Sequence, residues 1–223
     1  MIDLYALALF FHILLYVFWL GGDLGVAVLG GQFRKRDAYT MDQRLALLKV
    51  LVMVDMGPRT AWALMVGSSI SLAHLGGYWP LPLWALSLAW AISGLWLYLV
   101  WAAYKAGQTP KAAKLRKVEM VLKWALSAGY LYLGFVSLVL DDPIVPDWLA
   151  WKALLFGLIF IAAILIDVRF KPVGPALMSL IEKGSSDETE LPLRALMDRS
   201  RFWVRVTYLL LVIIGFVGTT KFL

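Results

Sequence analysis

The sequence predicts an all-α, polytopic integral membrane bundle of about six transmembrane helices, and three observations predict it. Of 223 residues, 61 % are hydrophobic and only 16 % are charged, with a mean hydropathy of +0.77. A soluble domain of this length has no core large enough to hide so much apolar surface. Several segments reach the roughly 20 apolar residues that a bilayer span requires. The Lys and Arg residues are concentrated in alternate loops between those segments. Residues 1–223 therefore read as a single transmembrane domain whose principal partner is the lipid bilayer.

The first span covers about 4–30 and is followed by a loop carrying Arg34, Lys35, Arg36 and Arg44. The second covers 46–74 with Pro58 inside it, where a proline frees the carbonyl of Val54 and predicts a kink. The turn Gly76-Gly77-Tyr78-Trp79-Pro80 leads to a third span at 83–104. Lys105, Lys111, Lys114, Arg116 and Lys117 form the next basic loop. The fourth span, 120–140, ends at Asp141-Asp142-Pro143, and the fifth covers 148–168. A polar stretch at 171–200 then precedes the sixth span at 203–219.

Loops after spans one, three and five are basic, and those after spans two and four carry no Lys or Arg. The positive-inside rule places the basic loops in the cytoplasm and both termini outside, in a multi-pass protein of the inner (plasma) membrane. The 11 Trp and 9 Tyr suit two interfacial belts. Segment 171–200 opens on Pro172 and Pro175, breaks at Gly184-Ser185-Ser186, and resumes an amphipathic pattern at 191–197. This pattern predicts a cytoplasmic amphipathic loop of two short interfacial helices joined by a flexible turn. Gly21 and Gly25 form a small-xxx-small pair suited to close helix contact.

Composition also excludes functions. The net charge of +6 lies in loops between apolar runs, so nucleic acid is not an expected partner. With no cysteine, disulfides, thiolate metal sites and Fe–S clusters are ruled out. The start, Met1-Ile2-Asp3, lacks a basic n-region, and no cleavable leader is expected. No phosphate loop, dinucleotide glycine pattern, zinc motif or nucleophile elbow is present.

Ionisable groups within hydrocarbon are costly and carry most of the functional signal. His12, Tyr16, Trp19 and Asp23 recur at helical spacing on one stripe, which should face the bundle interior. Asp55 and Arg59 lie four apart on span two. Asp23 lies ~12 Å from the inner end of its helix and Asp55 and Arg59 ~13–19 Å from theirs, at 1.5 Å per residue. An intramembrane cluster of Asp23, Asp55 and Arg59 is therefore allowed, as a structural salt bridge or as an ion pathway. In the outer half, His12 is a candidate metal or haem ligand, joined by Lys152, with His74 nearer the boundary. A depth mismatch of ~10 Å argues against His12 and His74 as two axial ligands of one haem. Met53, Met56 and Met65 could suit Cu(I), but Met53 and Met56 lie away from the histidines. Lys123, Asp167 and Arg169 are expected to snorkel to the inner interface.

Two stretches carry a family resemblance. Phe10-Phe11-His12-Ile13-Leu14 followed by Trp19-Leu20-Gly21-Gly22 resembles the first helix of the CopD copper-resistance and HemJ protoporphyrinogen-oxidase-like membrane proteins. Trp148-Leu149-Ala150-Trp151-Lys152, with Asp167-Val168-Arg169-Phe170-Lys171-Pro172, is similar to their Trp-x-x-x-Lys helix and basic-Pro exit. The resemblance implies haem b at His12 and Lys152, with copper a lesser expectation. It departs where the family carries an arginine after the glycine of helix one, a position held here by Asp23.

Three function classes follow. One is a haem-associated or copper-related membrane protein with a redox role, His12 as ligand and Lys152 near a propionate or the iron. A second is a small-solute, metal or proton transporter using Asp23, Asp55 and Arg59. The third is a non-catalytic accessory subunit, with a larger membrane protein or a second copy as partner.

Overall fold

A computed structural model describes residues 3–222. Seven helices follow in chain order: α1 (Leu4–Phe33), α2 (Met41–Leu75), α3 (Leu83–Ala106), α4 (Pro110–Leu140), α5 (Asp147–Phe170), α6 (Val173–Lys183) and α7 (Asp187–Thr220). Six of them are long and apolar enough to cross a membrane, and no strand occurs among the described residues. The chain is thus an all-α, multi-pass bundle.

Local chemistry sets the helix starts. Thr40 and Gln43 form a reciprocal capping box at α2, and the Thr109 hydroxyl accepts from Ala112 N while Pro110 occupies the first turn of α4. Consequently α4 begins ten residues before the span at 120–140 expected from hydropathy. At 35 and 31 residues, α2 and α4 measure ~52 and ~46 Å where the hydrocarbon core is ~30 Å. The starts of α2, α4 and α7 and the end of α1 therefore project from one face, the end that carries the basic loops.

The segment 171–200 corrects the sequence expectation. It holds one short helix, α6, and the second amphipathic stretch is not a separate helix but the first turns of a continuous α7. Gly184 takes φ +82°, the left-handed region that turns the chain between them. A capping box of Ser186 and Thr189 starts α7, and no breaker lies between Met197 and Trp203. The helix therefore runs unbroken from the extramembrane collar into the bilayer. Val173 and Leu180 of α6 pack with Phe33 and Leu193, forming a small apolar core outside the spans. Arg44 closes it: its Nη1 and Nη2 donate to Glu190 at 2.5 and 3.0 Å and its Nε donates to the Phe33 carbonyl.

Within the membrane, successive helices pack side by side and α7 returns to lie on α5. The helix contact in α1 also differs from expectation. A Cβ at Gly21 would meet nothing, whereas one at Gly22 would fall 2.6 Å from the Pro58 ring. Gly22 is the position that lets the proline of α2 nest against α1, with Gly25 in ordinary contact with Val54. The tightest crossing is α4 on α5, where a Cβ at Gly134 would lie 2.5 Å from Leu154 N. The seam between α7 and α1 is bridged by long side chains: Tyr16 Oη donates to the Leu211 carbonyl and Tyr208 Oη to the Asp23 carbonyl. The middle of the bundle is aromatic. Trp62 contacts Trp19, Trp96 and Phe160 at centroid distances of 5.4, 4.7 and 4.9 Å, and Tyr130 meets Phe156 edge-on at 4.7 Å.

Candidate functional site

The stripe on α1 is drawn inward. Phe10, Ile13 and Val17 are exposed on the outer surface of the bundle, while Trp19 is buried. His12, Tyr16 and Asp23 reach neighbouring helices from the same side. The structure separates these residues into two levels with the aromatic layer between them.

At the level nearer the termini, His12 Nδ1 lies 3.1 Å from the Ser68 hydroxyl of α2. Lys152 of α5 extends toward α7, where a Cβ at Gly218 would sit 2.6 Å from its Nζ, and its charge acts on His12. His74 is placed elsewhere: its Nδ1 accepts from Leu81 N at 3.0 Å and fixes the turn into α3. Ser68 precedes His74 by six residues, ~9 Å along α2, so the two imidazoles occupy different depths. At the mouth of this level Lys221 Nζ donates to Tyr78 Oη at 2.8 Å and lies over the Tyr78 and Trp148 rings. The hydrogen bond from Lys221 holds the Tyr78 phenol below its ordinary value.

The fit of this level to a cofactor follows from its side chains. Among the described residues, no three His, Asp or Glu groups converge as a metal ion needs. His12 can offer one axial ligand. His12 is not on the wall of the cleft that Arg34, Lys35 and Arg201 line, nor of the one that Val66, Ile92 and Tyr130 line.

The other level is a network of charges. Arg59 Nε donates to Asp55 Oδ2 at 2.5 Å, joining residues one turn apart on α2. The Asp23 carboxylate acts electrostatically on this pair from α1 without an ion pair of its own among the described residues. Lys123 corrects the sequence expectation. It does not snorkel; it is 3 % exposed and bonds Glu119 of its own helix and Asp167 of α5, both at 2.9 Å. The longer α4 explains this, because Lys123 lies 13 residues from Pro110 and cannot reach the basic face. Trp96 Nε1 donates to Glu119, and Lys123 Nζ lies 5.4 Å from the Trp62 ring. The charges of Asp167 and Glu119 also act on Arg59, so the two ion-pair groups form one network across α1, α2, α4 and α5.

Exposure grades through this network. The side chains of Arg59, Asp167 and Asp55 retain 41, 32 and 25 % of their accessible surface, whereas those of Glu119 and Lys123 retain 8 and 4 %. The Glu119–Lys123 pair is therefore the most enclosed part of the network and lies against the aromatic layer, where Trp62 Nε1 is buried without a hydrogen-bond partner. Asp23, Asp55 and Arg59 were legible as a candidate cluster; Glu119, Lys123 and Asp167 were not. The pair Glu119-x-x-x-Lys123 at helical spacing was the available signal.

The chain matches no family model, no curated protein and no solved structure.

Proposed function

We propose that this chain is a small proton- or cation-coupled transporter of the plasma membrane, working through the Asp23, Asp55, Arg59, Glu119, Lys123 and Asp167 network. The observation that carries the reading is the excess of carboxylates over cations within the spans, with Asp55 and Arg59 paired on α2 and Glu119 and Asp167 sharing Lys123. Intramembrane charges are costly unless they line a pathway or lock a fold. The carboxylate excess favours the pathway, since a purely locking cluster needs only as many carboxylates as cations.

Four carboxylates share two cations in the network. Protons can therefore be taken up without leaving Arg59 or Lys123 unpaired. Asp23 is the natural first acceptor, because protonating it breaks no ion pair. Protonation of Asp55 or Asp167 then releases Arg59 or Lys123 to its remaining carboxylate neighbours, which shifts charge between α2, α4 and α5. In this reading the basic loops face the cytoplasm and both termini lie outside.

Reconstitution into proteoliposomes containing a pH-sensitive dye tests this. Asp23→Asn should reduce proton flux to the level of protein-free vesicles; flux equal to the unsubstituted protein would reject the role.

A haem-associated role is the second reading. It is supported by Ser68 holding the His12 ring through Nδ1, as outer partners of metal-ligating histidines do. It is supported also by the resemblance to CopD and HemJ proteins at His12 and Lys152. The visible spectrum decides it: a Soret band lost in His12→Ala supports haem b, and no Soret band in protein purified from haem-supplemented cells removes it.

A further inference from the structure

At the basic end, an open cleft of about 590 Å³ lies between the end of α1, the loop after it and the start of α7. Gly31, Arg34, Lys35, Asp37, Arg194 and Arg201 line it. Four cations thus face one cleft, with Asp37 the only carboxylate on its wall. Two of those cations are engaged: Arg34 pairs with Asp198 at 2.8 Å, and Arg201 approaches the same carboxylate at 3.6 Å. Lys35 makes no ion pair among the described residues and is exposed. Arg194 donates through Nη2 to the Arg34 carbonyl at 2.7 Å, while its Nε–H is buried without a partner.

From these positions we infer a site for a phosphate-bearing anion, in which Lys35 and Arg194 supply the free positive charge and Arg34 and Arg201 the surrounding field. A guanidinium already oriented by one hydrogen bond matches phosphate better than a mobile ammonium alone. The cleft lies where α7 enters the bilayer, with Phe202 exposed one residue beyond Arg201. That depth is the headgroup level, where basic clusters meet acidic lipids. A phosphorylated solute from the aqueous side would present the same chemistry. The site is separate from the charge network and does not depend on the transport reading.

The test uses the full chain in mixed micelles of phosphatidylglycerol and phosphatidylcholine, with bound lipid counted by native mass spectrometry. Phosphatidylglycerol should be retained in preference, and the preference should fall about fivefold per cation removed in Lys35→Gln and in Lys35→Gln/Arg194→Gln. Lys111→Gln/Lys114→Gln, on the other basic loop, should keep it. Lys35 is exposed, so Lys35→Gln keeps the test decisive if changes at Arg194 impair folding. Glycerol 3-phosphate added to the micelles separates the sources. Displacement of lipid at comparable concentration assigns the site to a soluble phosphate, and failure to displace it assigns the site to the lipid headgroup. Equal retention of the two lipids, or a preference unchanged in the Lys35 variants, would overturn the proposal.

Discussion

Lys123 of α4 and Asp167 of α5 meet at 2.9 Å in the interior of the bundle, 44 residues apart in the chain. Their contact completes a cation held between two carboxylates, since Glu119 approaches the same Nζ at 2.9 Å. Removing the cation alone strands two acidic groups in a low-dielectric setting. Lys123→Met should therefore destabilise the protein by about 3–5 kcal/mol, whereas Lys123→Met/Glu119→Gln/Asp167→Asn should recover most of the loss. Chemical unfolding in detergent measures both. A single variant as stable as the parent would show that the charges are solvated.

The collar offers a second buried pair. Arg44 and Glu190 keep 2 % of their side-chain surface each, and the pair ties the start of α2 to the start of α7. Glu190→Ala should cost about 3–5 kcal/mol by leaving the guanidinium unpaired. Limited proteolysis should then cut between α6 and α7, near Gly184, faster than in the parent. Unchanged cleavage would mean that the apolar contacts of Leu180 and Leu193 suffice to hold α6.

Gly134 fixes the spacing of α4 and α5. An added Cβ would meet backbone at 2.5 Å on Leu154 N and 2.9 Å on the Ala150 carbonyl, neither of which can rotate away. Gly134→Ala should destabilise by about 1–3 kcal/mol despite the better helix propensity of alanine. At Gly94 a Cβ meets nothing, and Gly94→Ala should be neutral or stabilising by up to about 1 kcal/mol. Thermal unfolding midpoints of the two variants should move in opposite directions or differ clearly in size.

Two phenols close the α1–α7 seam. Tyr16→Phe and Tyr208→Phe each delete one hydroxyl-to-carbonyl bond, of 2.9 and 2.7 Å, at about 1 kcal/mol apiece. Hydrogen exchange should quicken in both helices facing the seam and stay unchanged in α3. Uniform acceleration throughout the chain would point to global destabilisation instead.

At the terminal mouth, Lys221 and Tyr78 favour each other's charged forms: the lysine is raised and the tyrosine lowered from their ordinary values of 10.5 and 10.0. The lysine's share of the contact is present below its ordinary value and is lost as pH rises through the raised one. The tyrosine's share works in the other direction and is lost as pH falls through its lowered value. The contact is therefore strongest between the two. Difference absorbance against Tyr78→Phe should show this phenol ionising below 10.0, and Lys221→Met should return it upward. A titration identical in both backgrounds would remove the contact.

Much of the bundle was legible because its signals are local. Spans two, three and five follow from apolar length, and Asp55 and Arg59 pair at helical spacing on one helix. Glu119 and Lys123 carried the same signal, yet a helix start read at Met120 instead of Pro110 placed Lys123 near the membrane surface. The polar run of 110–119 has low hydropathy while its cap and propensities still favour helix. The same mismatch hid the continuity of α7, whose first turns are polar and extramembrane. Gly21 and Gly22 show the limit of a spacing motif: both sit on α1, and the rotation of α1 against Pro58 decides which one is covered.

The sequence by itself determined the fold class, the six spans and the loop charges, because hydropathy and charge act through the solvent that each segment meets. Tertiary structure alone decided that Lys123 joins Asp167, that Arg44 joins Glu190, and that His12 meets Ser68 while His74 closes a turn. Those pairings depend on the rotation and depth of one helix against another. Such geometry is set by interdigitating side chains on separate helices, which no local pattern records.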